Sequence, residues 1–173
     1  ILRKLASLIF GKKTPEPITK VSFYINFLIW FIFFIWHLIS YLAISYREII
    51  LEEKKVNIEI LILNRGANLG FDPSVFLNRL LNFHFLSIFC WLTILVGIIF
   101  IWREKKNSIY LIFLPFIFYF SLLFFYLGLR YFNEDTTLFD KITLSIFIIN
   151  SLFFFYILSK RKTNEEANFF EID

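Results

Sequence analysis

The chain has 173 residues, 58% of them hydrophobic and 18% charged, with 26 Phe, a net charge of +4, no Met and one Cys. That mix lies well outside the usage of a soluble domain, and a positive excess at membrane flanks answers to anionic headgroups, so no nucleic-acid partner is implied. The single Cys90 excludes an intramolecular disulfide. No nucleotide loop, metal-ligand cluster or nucleophile motif occurs along the chain.

Residues 1–10 set Leu2, Leu5, Leu8 and Ile9 on one helical face with Arg3, Lys4 and Ser7 away from it. The spacing predicts a short amphipathic helix on the inner membrane surface, within an arm covering residues 1–20. No cleavable signal peptide is recognisable here. The absence of Met, even at the first position, points to a trimmed or processed chain.

Four windows are long and apolar enough to cross a bilayer core, which takes roughly 20 residues: 21–45, 82–102, 109–128 and 142–159. The stretch "LIFLPFIFYFSLLFFYLGL" has no polar face, as the helices of a water-soluble bundle would. The expected fold is an all-α integral membrane protein with four transmembrane helices. Basic residues set its orientation. Arg3, Lys4, Lys12, Lys13 and Lys20 lie in the arm, Arg103, Lys105 and Lys106 in the second loop, and Lys160, Arg161 and Lys162 in the tail. Both termini are therefore read as inside, with loops 46–81 and 129–141 outside and residues 160–173 forming an inner tail.

In the first outer loop the segment "VNIEILIL" alternates enough for a strand, and its type stays open between strand and helix. Gly66 and Gly70 bracket a turn. Asp72 is a good N-cap with Pro73 at the first helical position, predicting an interfacial helix from 73 that leads into span two. Pro115 predicts a bend in span three. Trp102, Tyr110 and Tyr131 fall near span ends and read as interface anchors.

The stretch "LGLRYFN", residues 127–133, resembles "LGLRLFGN" around the essential arginine of the proton-channel subunit a of ATP synthase. Here Arg130 is followed by Asn133, Glu134 and Asp135, and the one remaining span has no Gln, so no proton-channel role is assigned.

An ionisable residue at membrane depth is a functional candidate by default. His37 shares a helical stripe with Asn26, Trp30, Phe33, Ser40 and Tyr41, a stripe that should face protein. With the boundaries above, His37, Cys90, Ser121 and Asn150 all lie roughly 10–12 Å below the outer surface at about 1.5 Å per residue. They are expected to form a polar packing layer, with His37 bonded to Asn150 or Ser121. His84, at the mouth of span two, comes out roughly 9 Å shallower on the same rise. That offset argues against a two-histidine haem, leaving His37 and His84 as weak cofactor candidates, with no cofactor and no metal assigned. Ser87, Cys90, Thr93 and Gly97 form a small-residue seam for close helix packing.

These observations lead to an expected role as a non-catalytic accessory subunit of a larger inner-membrane assembly, bacterial or organellar, whose partners are other integral membrane subunits and lipids. The residue bias matches AT-rich coding. A small homo-oligomeric channel or carrier lined by the His37 layer is the alternative, and a haem- or quinone-associated membrane anchor of a respiratory-type complex is the third.

Overall fold

The computed structural model describes residue 11 and residues 14–170, with side chains through Lys160. The amphipathic arm expected over residues 1–10 lies outside the described residues. Among the described residues seven helices follow in order: α1 (Pro17–Ser45), α2 (Arg47–Lys54), α3 (Ile58–Asn68), α4 (Pro73–Trp102), α5 (Ser108–Tyr126), α6 (Gly128–Glu134) and α7 (Leu138–Phe170). No strand occurs among the described residues. Among the described residues four helices are long and apolar enough to cross a membrane: α1, α4, α5 and α7 over Leu138–Lys160. The protein is a multi-pass membrane protein of the all-α class.

The segment left open between strand and helix is helical. Asn57 caps α3 by accepting from the Ile60 amide at 2.9 Å, and once that first turn is tied the chain continues as helix to Asn68. Gly66 lies inside α3, not in a turn; the turn is made by Gly70, whose φ of +83° suits glycine. The expected interfacial helix and span two are one unbroken helix, α4. Asp72 starts it, its carboxylate accepting from the amides of Ser74 and Val75. Hydrogen bonds from the Ser74 hydroxyl and the Val75 amide also hold the Asp72 carboxyl below its ordinary 3.8. A carboxyl held low in the folded state adds stability above that value and loses it as pH falls through the folded one. Asp72→Ala should therefore speed amide hydrogen exchange at Ser74 and Val75, and acidification below about pH 4 should do the same to the native chain. Equal exchange in both proteins would show that the cap contributes nothing.

Span three ends earlier than expected, because Gly128 takes φ +75° and starts the separate short helix α6. Span four starts earlier, at Leu138. Thr137 and Asp140 cap it reciprocally: the Thr137 amide and hydroxyl donate to the Asp140 carboxylate at 3.0 and 2.7 Å, and the Asp140 amide donates back to the Thr137 hydroxyl at 3.1 Å.

The long helix α4 is central, packed between α1 and α5 and roofed at its start by α3, while α7 lies mainly along α1 and also touches α5. Helices α1 and α4 run antiparallel. Successive contacts climb one as they descend the other: Thr19 with Glu104, Phe23 with Trp102, Trp30 with Trp91, and His37 with His84. The core falls into two apolar clusters, one around Trp91, Ile94, Ile98 and Phe147, the other around Phe76, Phe83, Leu123 and Leu127 beneath α3 and α6. The end of the bundle that carries α2, α3 and α6 is called the cap end below.

A buried histidine pair beneath a cavity

The α1 stripe faces protein as its spacing implies. Asn26, Trp30, Phe33 and His37 are buried, and Ser40 and Tyr41 half-buried. His37 is only 1% exposed. Its Nδ1 lies 2.9 Å from Nδ1 of His84 on α4, a hydrogen-bond distance. Neutral imidazole carries one N–H and one lone pair. In the neutral pair one ring therefore donates Nδ1–H and keeps its lone pair on Nε2, while the other accepts at Nδ1 and carries N–H on Nε2. Phe83 and Tyr119 stand edge-on to His37 with ring centroids 5.4 Å away in each case.

This pairing replaces the expected bond from His37 to Asn150 or Ser121. Asn150 donates instead to the Ser22 carbonyl at 3.0 Å, and Asn26 donates to the Ser151 hydroxyl at 3.2 Å, so α7 meets α1 more than two turns from His37. The cause is the capping of α7 at Thr137, which lengthens the span by four residues at its cap end, about 6 Å, and drops Asn150 below the histidine level. Ser121 lies on an exposed face and returns its hydroxyl to the Ile117 carbonyl at 3.0 Å. Cys90 is buried in the cluster beneath α3 and α6. The four residues do not form one layer.

The depth assigned to His84 is likewise corrected. The α4 helix begins at Pro73, nine residues before the assumed start of span two, so His84 is set three turns into it and opposite His37. The small-residue seam divides. Ser87, Cys90 and Gly97 are buried, but Thr93 turns outward, its hydroxyl donating to the Phe89 carbonyl at 3.0 Å.

His37 and His84 line a cavity of about 330 Å³. Phe33 and Trp36 of α1, Phe83 of α4, Tyr119 and Leu123 of α5, and Leu144 of α7 wall it, and Tyr131, Asp135, Thr136, Thr137 and Asp140 rim it at the cap end. Tyr131, expected as an interface anchor, is half-buried on this rim. Burial raises the Tyr131 phenol above its ordinary range, with Asp135 and Asp140 adding to the effect, so it stays protonated. Arg65 of α3 is ion-paired with Asp135, which ties α3 to the α6 end; that bond raises the guanidinium further.

Among the residues that line the cavity one buried polar atom stands out. His37 Nε2 is buried and has no hydrogen-bond partner among the described residues. Away from the cap end the bundle closes under the pair, where Phe33 stacks on Trp91 at 5.2 Å and Trp91, Ile94 and Ile98 are fully buried. Iron does not fit between the two histidines, since their facing nitrogens are already at hydrogen-bond distance. No group of three or more His, Cys, Asp or Glu is placed to hold a metal ion among the described residues. Sequence reasoning missed Tyr119 and Leu123 as lining residues, because an all-apolar helix such as α5 gives no sign of which face turns inward.

Comparison with protein-family models, with curated proteins and with solved structures finds no match.

Proposed function

We propose that this multi-pass membrane protein is non-catalytic and holds a small uncharged molecule in the cavity over the His37–His84 pair. The observation that carries the reading is that His37, whose buried Nε2 has no partner among the described residues, is one of the residues lining the cavity. A buried polar atom left without a partner costs about 1–3 kcal/mol, and a ligand that bonds to it removes that cost. The charges at the rim are already engaged, Asp135 with Arg65 and Asp140 with Thr137, which favours an uncharged guest. The aromatic layer under the pair ends the cavity there, so a holding site fits better than a conduit. Eleven of the 18 Lys and Arg fall in the arm, the second loop and the tail, against seven in the other two loops, which supports a cytoplasmic position for both termini and a cap end on the other side.

Organic extraction of the purified protein followed by mass spectrometry tests this. Native chain should release one small molecule in near-stoichiometric amount, and His37→Phe and the cavity-filling Leu123→Trp should lose it. The same extract from all three proteins would end the holding-site reading.

A second reading, a subunit of a larger inner-membrane assembly, is favoured by α7. The helix continues from Lys160 through a largely polar stretch, residues 161–168, to Phe170, about 15 Å at 1.5 Å per residue. A helical extension this short is marginal in water unless it packs on something. Isolation in mild detergent should bring other membrane subunits down in fixed ratio; a chain that runs alone overturns the subunit reading.

A further inference from the structure

From the cavity's walls and openings we infer that the molecule held over His37 is a lipid-soluble quinone. Its ring lies against the imidazole and its tail leaves between α1 and α7 into the bilayer. This inference rests on the holding-site reading and names its ligand class.

The first reason is access. Trp36 lines the cavity and is also 62% exposed, within a helix that spans the membrane. Trp36 therefore stands between the cavity and the lipid-facing surface, and its movement would open one to the other. On its other flank stand Asp140 and Leu144 of α7, while the hydrogen bonds that join α1 to α7 lie far down at Ser22 and Asn26. A membrane-borne guest reaches the site sideways without crossing water. At about 330 Å³ the cavity is near the lower limit of roughly 300–1,000 Å³ for small-molecule sites, enough for a ring and too small for a long tail. The tail has to stay in the lipid.

The second reason is hydrogen bonding. When His84 donates its Nδ1–H to His37 Nδ1, the N–H of His37 is on Nε2, the atom with no partner. A turn of the ring that bares this N–H to the cavity offers a donor, and the complementary ligand group is a carbonyl oxygen. Across the ring of a para-quinone the second carbonyl would lie toward the rim, which carries the hydroxyls of Tyr131 and Thr136.

Shape and charge narrow the class further. Phe33, Phe83 and Tyr119 give aromatic walls, which favour a flat ring over a flexible acyl chain. Two carboxylates, Asp135 and Asp140, stand at the rim, against one guanidinium from Arg65 that is already paired. A phosphate headgroup would be repelled there; a quinone carries no charge.

The test uses the full chain in mild detergent with two probes, decylubiquinone and farnesol, the second having a similar apolar tail and a hydroxyl in place of the ring. Saturable, one-to-one retention of decylubiquinone through size exclusion is expected, with the imidazole ¹⁵N signals of His37 shifting on binding. His37→Leu should weaken binding at least tenfold. His37→Gln, which keeps an N–H donor, should fall between that variant and the native chain. Leu123→Trp blocks the cavity from α5 and should abolish binding even if the Leu variant fails to fold. Decylubiquinone retained equally by all variants overturns the inference, as does preference for farnesol. If neither probe binds while extraction recovers a different His37-dependent molecule, the quinone assignment falls and the holding site stands. If extraction recovers nothing that depends on His37, both fall.

Discussion

Gly97→Val is expected to destabilise the bundle by about 3 kcal/mol, the upper part of the usual range for overpacking. A Cβ at Gly97 would sit 2.7 Å from the Ile112 side chain and 3.0 Å from the backbone carbon of Leu111. A flexible side chain at such a distance can swing aside, but backbone cannot. To admit the valine, α5 must back away from α4 as a rigid rod, loosening the contacts of Ile98, Ile101, Ile112 and Phe116 in the same cluster. Association of helices in lipid draws on close packing and not on exclusion of water, so a lost contact of this kind has little to replace it. Unfolding by sodium dodecyl sulfate in mixed micelles, followed by tryptophan fluorescence, measures the effect. Gly97→Ala should fall between valine and the native chain. A Gly97→Val protein as stable as native would mean that α4 and α5 do not approach this closely.

The histidine pair gives the second large effect. His37→Leu leaves Nδ1 of His84 buried without its partner, and His84→Leu does the same to His37. Each single change should cost about 1–3 kcal/mol, the desolvation penalty of a stranded polar group. The double variant replaces both rings by apolar groups and strands neither, so it should cost less than the sum of the singles by about 0.5–3 kcal/mol. The same micelle titration on four proteins completes the cycle. Strict additivity would show that the two rings do not share a hydrogen bond.

How far the site could be read from sequence depends on which signal carried each residue. The α1 stripe through Asn26, Trp30, Phe33 and His37 was legible because helical spacing is local: residues three and four apart share a face wherever the helix ends. Asp72 as the start of α4 was legible for the same reason, since capping needs only its next few neighbours. The sequence "TTLFD" over 136–140 holds a similar signal, the reciprocal cap of Thr137 and Asp140, and reading it would have moved the start of the fourth span to Leu138 and removed Asn150 from the His37 level. Ser121 and Thr93 failed differently. Each is a lone hydroxyl among apolar neighbours along the chain, and it satisfies itself on the carbonyl four residues back and faces outward.

By itself the sequence determined the class: four apolar windows of bilayer length, a protein-facing stripe on the first, and a capped start for the second, all set by interactions within a few residues along the chain. Only the tertiary structure decided that His37 meets His84. That contact depends on the antiparallel register of α1 against α4, and a window boundary misplaced by nine residues moves a side chain about 13 Å along a helix. Register between helices is fixed by packing across the whole interface, from Thr19 against Glu104 to Trp30 against Trp91, and no local pattern encodes it. The cavity follows from the same cause, because it forms where α1 and α7 both border open space in front of α4 and α5, and a space between helices has no residues of its own to read.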